Sequence, residues 1–504
     1  KMAMLFSIVF ILLSILSIYT TMSRLISNQM VQIGTLKSLG FYDRQIYFHY
    51  GAYGFLVAII GSLVGVIFGY TVVANLVMNI KKATLTLPIW KKSFGIDSMI
   101  LIVLIVTVCT LAAIITTRKV IKNNPSFTIK GMLDKKSSGP GIYKKSRLSY
   151  DWLWTLRSIR IHPIRTFMSI TAIVGSIVLM VAGLGVWDSL YSSYQDVYNN
   201  EFCYKYIGQV YGESYNNLSR KFNSFDVQFA QSETADFSFH GIEKSGSLLV
   251  LDSGDKIRIF DAKSKKKIRI EKDEVAIASQ LAEQLDVKVG DKIAYKTKSS
   301  LNEHRVTVTA IVDAKMPQGI FIYKDKVKNF EPNTIYIGDS EAYEQAKKEE
   351  SISNIISIKK QQDNMKEMMD SVHSIMYILI VAAFVLSVVI LYNLGILSYL
   401  ERYREYATMK VIGFKHSEIM GMVFKESVLN LLTGFVIGIP LSKQFLKLYI
   451  RVVSMDSMEW TPIIAKDHFL IVIFCVIGFS VLVNLVVSMR IRKIDMVEAL
   501  KSIE

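Results

Sequence analysis

Seven histidines and three cysteines are the side chains in this 504-residue sequence best suited to hold a metal or act as a nucleophile. Neither set is spaced for it. His373 and His468 stand singly at the ends of apolar runs, Cys109 and Cys475 lie inside such runs, and Cys203 is alone in a polar stretch. There is no H-E-x-x-H, and no G-x-x-x-x-G-K-[ST] loop whose backbone N–H groups would wrap the phosphates of a nucleotide. No nucleophile has a neighbouring base, and no acid–base pair stands out. The reading therefore assigns no catalytic residue, no metal ligand and no cofactor to this chain. Chemistry has to come from a partner.

What the sequence repeats is a piece of helix. "QIGTLKSLGFYDRQI" (32–46) and "EYATMKVIGFKHSEI" (405–419) share Thr35/Thr408, Lys37/Lys410, Gly40/Gly413, Phe41/Phe414 and Ile46/Ile419. Each copy precedes a long apolar run. Gly40 and Gly413 suit the left-handed position just past a helix end, and Asp43 or Ser417 is placed to cap the next helix. The pattern predicts a short helix bent sharply into a span, twice.

The apolar residues that follow these pieces belong to runs of about 20, the length that crosses a bilayer as a helix. Seven are present: 3–22, 52–78, 98–117, 166–187, 374–398, 427–446 and 468–489. With 51% hydrophobic residues concentrated in this way, the chain reads as a polytopic α-helical membrane protein. The stretch 188–373 differs, being polar and strand-rich, with 26 basic and 29 acidic side chains. The net charge of +16 thus lies beside the spans, where it records topology; no nucleic-acid partner is expected.

Lys and Arg counts set the orientation. The loop 118–165 carries 12 basic and 2 acidic residues and outweighs the four lysines of "KKATLTLPIWKK". Placing that loop inside puts 188–373 outside, the C-terminus inside and residue 1 outside. Leu56, Gly61 and Gly65 recur 373 positions later as Leu429, Gly434 and Gly438, so two halves are related. The second half reads span, polar domain, three spans, whereas the first shows only three spans. The expectation is that a span and a second external domain precede residue 1 in a longer parent chain.

Small residues at every fourth position (Gly61, Gly65, Gly69; Gly434, Gly438, Ser442) are expected to let helices approach closely, and Pro440 to kink the second copy. In "YDWLWTLRSIRIHPIRT" (150–166), Trp152, Leu153, Leu156 and Ile159 share a helical face, with Arg157, Arg160 and Arg165 off it, as in a helix lying in the membrane interface. "EVAIASQLAEQLDVKVGDKIAY" reads as strand, short helix around 279–284, turn at Gly290-Asp291 and strand. "HRVTVTAIV" and "GIFIY" read as further strands. A helix from near Gln361 has nothing to stop it before the span at 374, which makes it a stalk.

The elbow "WLWTLRSIRIHPIRT", the phrase "ASQLAEQLDVKVGDKI", the loop "ERYREYATMKVIGF" and the tail "RIRKIDMVEALK" together resemble the FtsX-like or MacB-like permeases of ABC transporters, over nearly the whole chain. The resemblance implies a polytopic helical membrane protein with a mixed α/β extracytoplasmic domain. Its parts would be a three-span unit (1–131), a cytoplasmic linker with elbow helix (132–165), a span (166–187), the external domain with stalk (188–373) and a second three-span unit (374–504). It also implies a coupling helix in each half that docks on a separate cytosolic ATPase dimer, which would hold ATP and Mg. That role falls on Gln32, Leu36, Lys37, Gly40 and Phe41, and on Glu405, Met409, Lys410, Gly413 and Phe414. Where the second copy has the family's acidic Glu405, the first has Gln32. In the first half the tail degenerates to "NNPSFTIKG" (123–131).

The implied activity is mechanotransmission in a bacterial cell membrane, among membrane lipids, with a lipoprotein, lipid or antimicrobial peptide as substrate. Few charges lie within the spans, which argues against an ion or sugar path. The alternative is a regulator that activates an extracellular wall hydrolase or senses a drug.

Overall fold

The computed structural model describes residues 2–75, 77–78, 82, 95–122, 150–268, 270, 274–298, 302–327, 330–453 and 458–492. Most of the loop 81–92, the segment 123–149 with its basic cluster and "NNPSFTIKG", and the tail beyond 492 lie outside them. The chain divides into two compact bodies. A helical body comprises 1–185, 374–449 and 464–504, and a sheet domain comprises 186–373 together with 450–463.

Seven helices of the described residues are long and apolar enough to cross a membrane. They extend past the apolar runs, because helical hydrogen bonding does not end where hydrophobicity does. The run 374–398 lies within a 44-residue helix, Ile358–Glu401, so the expected stalk and the span are one element. The run 427–446 lies within His416–Val453, which continues through Pro440. The first half contributes Met2–Asn28, Asp43–Phe68 and Ile96–Ile121; Pro163–Asp196 and Lys466–Arg492 complete the set. Between the halves of this body, Phe6 meets Tyr449 edge-on at 4.9 Å, and the Asn393 amide donates to Thr21 Oγ1 at 2.9 Å.

The sheet domain is built from strands β1 (Tyr206–Val210), β2 (Val227–Phe239), β3 (Ile242–Leu251), β4 (Ile259–Phe260), β5 (Lys267–Ile268), β6 (Val275–Ala278), β7 (Lys292–Thr297), β8 (His304–Thr307), β9 (Ala310–Val312), β10 (Gly319–Tyr323), β11 (Thr334–Ile337) and β12 (Ile352–Ser357). Ten of them form one mixed sheet in the order β12-β1-β11-β2-β3-β10-β6-β9, with β7 and β8 continuing from the far end of β2. Its central strands are apolar on both faces, as period-two alternation requires when both faces are covered. Leu248, Val250, Ile320, Ile322 and Ile277 of β6 pack with Leu281 and Leu285 of the 279–285 helix on one face. Leu249, Leu251 and Phe321 pack with Ile257, Ile259 and Tyr336 on the other. The strand–helix–strand stretch of the sequence is β6, Ser279–Leu285 and β7, with Asp286 left-handed at the helix end.

The short segment 450–463 is part of this domain. Ser189 Oγ donates to the Ile463 carbonyl at 3.0 Å and accepts from its N–H at 2.9 Å, while Ser193 Oγ accepts from Thr461 N–H at 3.0 Å. Glu459 accepts from Ser279 Oγ at 2.9 Å and faces the Lys315 ammonium at 3.5 Å. Burial works against the charge on Lys315, but Glu459 and Asp313 outweigh it and hold its pKa above the ordinary lysine value.

Candidate functional site

The two repeated pieces fold alike to the level of single hydrogen bonds. Short helices Met30–Ser38 and Tyr403–Ile412 precede the two Gly-Phe steps. In the first, Phe41 N–H donates to Leu36 O and Gly40 N–H to Lys37 O, both at 3.1 Å. In the second, Phe414 N–H donates to Met409 O at 3.0 Å and Gly413 N–H to Lys410 O at 3.1 Å. This paired closure satisfies carbonyls that a helix end otherwise leaves bare, and it needs a left-handed residue. Gly40 (φ +91°) and Gly413 (φ +102°) supply it. A Cβ at either would meet nothing within 4 Å among the described residues, so glycine is needed for its backbone freedom and not for space.

The following spans start from caps that were not expected. Asp43 is the first residue of its helix and Ser417 the second of its own, both too late to cap. Instead, Gln45 Oε1 accepts from Tyr42 N–H at 3.0 Å, and Glu418 Oε2 accepts from Lys415 N–H at 2.8 Å. A Gln or Glu reaching back three residues to the chain entering a helix is half of a capping box. Gln45 and Glu418 are 373 positions apart, so the internal repeat carried this signal.

Equivalent residues turn outward in both copies. Ile33 and Gly34 are buried as are Tyr406 and Ala407, whereas Gln32, Thr35 and Leu39 are exposed as are Glu405, Thr408 and Ile412. Leu39 and Ile412 are 71% and 70% exposed, a large apolar side chain at the same bend in each copy. Leu36 and Phe41 are also exposed, and Met409 and Phe414 half-buried.

Lys37 and Lys410 turn inward. Lys37 Nζ donates to the carbonyl of Ile121 at 2.5 Å, and Lys410 Nζ to that of Arg492 at 3.2 Å. Each acceptor is the last residue of the third span in its half, where free carbonyls and the negative end of the helix dipole attract a cation. These two residues tie the short helix to the end of a span.

The copies differ at the base of the short helix. In the first, Gln29 precedes it, and Gln29 Oε1 accepts from the Tyr50 hydroxyl at 2.7 Å beside a cluster of Met22, Ile26, Ile33 and Ile121. In the second, the equivalent residue is Arg402, 1% exposed. Its guanidinium lies 3.9 Å from the Trp154 ring centroid and donates to Glu426 Oε2 at 2.7 Å. Glu426 also accepts from Arg165 at 2.8 Å and Ser158 at 3.0 Å, and Arg165 reaches Glu401 at 3.4 Å. Glu405, 49% exposed, shares the Arg402 Nε at 3.3 Å. Burial opposes the charge of Arg402, yet Tyr406, Glu426 and Glu405 raise its pKa above the usual value. Burial likewise pushes the Tyr406 phenol up to about 12.

This node takes in the elbow helix, Tyr150–Ile161. Its buried positions are Thr155 and Ser158, while Trp152, Leu153, Leu156 and Ile159 are only half-buried. Arg165, read as lying off the apolar face, is 6% exposed. The elbow helix turns Thr155 and Ser158 to the protein and leaves Arg157 and Arg160 exposed. Arg402 and Glu426 were not singled out from sequence; a carboxylate at the start of a span is a signal that could have found them.

The small-residue stripes diverge as well. A Cβ on Gly434 would come within 2.5 Å of Ile173, and one on Gly438 within 2.9 Å of Ile177, so the 416–453 and 163–196 helices meet there closely. At Gly61, Gly65 and Gly69 a Cβ would meet nothing within 4 Å among the described residues. The close approaches of that helix are Gly54 on Ala113 and Gly51 on Ile114. Among the described residues no group of His, Cys, Asp and Glu could hold a metal ion.

Both three-span units match one family model, the FtsX-like permease C-terminal domain, over residues 4–125 and 377–496. No curated protein matches the chain. Seven apolar helices make it a multi-pass membrane protein, and the family is one of ABC-type permease subunits, which generally work with a cytosolic ABC ATPase and are not themselves enzymes. The chain belongs to the FtsX-like permeases and carries that family's C-terminal domain twice.

Proposed function

We propose that the chain is the membrane subunit through which an ATPase dimer does mechanical work, with Met30–Ser38 and Tyr403–Ile412 as its two docking helices. The observation that carries this reading is the matched outward face, with Gln32, Thr35 and Leu39 repeated as Glu405, Thr408 and Ile412. A dimeric motor presents two equivalent grooves, and a single chain fills both only by carrying the shape twice. Closure of the motor on ATP would push both helices. The Gly-Phe steps pass the push to the next spans, and the 358–401 helix carries it without a break to β12 of the sheet domain. On this reading the sheet domain is extracytoplasmic and the substrate an amphiphile, a lipoprotein, lipid or antimicrobial peptide, handled outside the membrane.

The test is ATPase stimulation in a reconstituted complex with the cognate ATPase. Ile412→Asp and Leu39→Asp place a charge on each exposed tip without touching the buried base. Each is expected to reduce stimulation, and the pair to abolish it. Glu405→Lys should reduce it more than Gln32→Lys, because the first copy has no charge to lose. Full stimulation by the double Asp variant would sink the assignment.

A further inference from the structure

Inside the helical body, beside the Arg165–Glu426 pair, is a cavity of about 70 Å³ bounded by the helices 163–196, 358–401, 416–453 and 466–492. Its lining is unexpectedly polar for a place among membrane-crossing helices: Ser169, Ser398, Asn430 and Ser480 line it along with Ser427 and Asn484. Ser427 Oγ donates to Asn484 Oδ1 at 2.8 Å, and Asn484 Nδ2 donates to the Ser480 carbonyl at 2.8 Å, so those two side chains are satisfied. Asn430 is not. It is 8% exposed, it borders the cavity, and its amide has no hydrogen-bond partner among the described residues. It stands 14 residues into the His416–Val453 helix, roughly 21 Å from its start at 1.5 Å per residue.

A buried amide with two donors and an acceptor is not left unpaired in a dry interior. Hydrocarbon offers it nothing. Cavities that stay empty are lined by apolar groups, whereas polar ones of this kind hold water, each molecule needing about 10–15 Å³ and two to four polar partners. We propose that this cavity is a water-binding site, occupied by a small cluster of molecules that pair with Asn430 and the serine hydroxyls and hydrate the Arg165–Glu426 pair. The site gives that pair an alternative set of partners, so the 416–453 helix can shift against 163–196 without leaving either charge dry.

The test uses thiol reactivity, since the thiolate that attacks a methanethiosulfonate forms in water and not in hydrocarbon. In the full chain with Cys109, Cys203 and Cys475 replaced by alanine, Asn430→Cys is compared with Val436→Cys. Val436 lies on the same helix and is 73% exposed on the surface that would face lipid. Purified protein in lipid nanodiscs is treated with methyl methanethiosulfonate at pH 8 and the adduct followed by intact mass. Asn430→Cys is expected to react at least about tenfold faster, a thiol raised by one pKa unit carrying a tenth of the thiolate. Equal or slower reaction at position 430 would mean a dry cavity and overturn the proposal. Should Asn430→Cys fail to fold, Ser398→Cys, on a different helix facing the same cavity, carries the comparison with the same two outcomes.

Discussion

The first and second copies of the bent helix agree where the chain is local and part company where it is not. Their turns close with the same two backbone hydrogen bonds, and the next helices are entered through the same side-chain cap. The bases of the short helices are held by different physics. Gln29 and Tyr50 form a neutral hydrogen bond next to an apolar cluster, whereas Arg402 is locked between Trp154 and Glu426 in a buried ionic node that also takes in Arg165. A repeated sequence thus repeats what neighbours in sequence decide. What grips the repeat is set by whichever element packs on it, and in the second copy that element is the elbow helix.

The largest effect expected from this difference is at Arg402. Arg402→Ala leaves Glu426 buried with one guanidinium fewer, and breaking a buried pair from one side costs about 3–5 kcal/mol. Gln29→Ala removes one neutral hydrogen bond and should cost about 1 kcal/mol. Thermal unfolding in detergent, read side by side, checks the ratio. Replacing both partners (Arg402→Met with Glu426→Gln) should recover much of the loss, because no charge is then stranded. Equal losses for the two single variants would mean that the node adds nothing to the second copy.

Next is the pair of glycine stripes. Gly434→Leu drives a side chain into Ile173 and should destabilise by about 2 kcal/mol through overpacking. Gly61→Leu enters open space and should stay within about 0.5 kcal/mol. The third effect should show no difference at all. Gly40→Ala and Gly413→Ala both force a Cβ into the left-handed region with no steric contact, and each should cost about 1 kcal/mol. A gap of more than about 1 kcal/mol between them, as large as the expected cost itself, would show that the two turns are not equivalent after all.

These contrasts mark how much was legible in the sequence. Gly40 and Gly413 could be placed because a left-handed helix end is a local requirement that only a few residue types meet. The seven apolar helices and the strand–helix–strand of the sheet domain follow from periodicity for the same reason. The stripes could not be sorted. Gly61 and Gly434 have the same spacing, and what separates them is the neighbour, Ile173 for Gly434 and none among the described residues for Gly61. Ser158 and Glu426 are 268 positions apart in the chain, and Lys315 and Glu459 are 144 apart, so neither pairing has a local signature. The segment 450–463, between the apolar runs 427–446 and 468–489, likewise carries no local sign that it packs as part of the sheet domain. The polar contacts of the elbow helix have no local signature either: Ser158 meets Glu426 and Arg165, and nothing near it in sequence announces the first of these.

The smallest effect reverses the direction of the comparison. Lys37 and Lys410 each donate to the last carbonyl of a span, but the first does so at 2.5 Å with its side chain 16% exposed and with Asp43 at 3.2 Å, while the second bond is 3.2 Å and exposed. A cation at a helix end contributes about 0.3–1 kcal/mol, more when partly buried and less when salt screens it. Substitution by Met keeps the stem and removes the ammonium. Lys37→Met should therefore cost about 1 kcal/mol and Lys410→Met about 0.3, so here the first copy is the more dependent one. Global unfolding will barely resolve the second value, and local fraying is the better readout. Amide hydrogen exchange in the last turn of Ile96–Ile121 should speed up several-fold in Lys37→Met, while the last turn of Lys466–Arg492 changes little in Lys410→Met. Added salt should narrow the gap from the Lys410 side first, because that bond is already in contact with solvent. Matching acceleration at both helix ends would mean that burial and Asp43 lend Lys37 nothing, and the two lysines would then be equivalent in strength as well as in position.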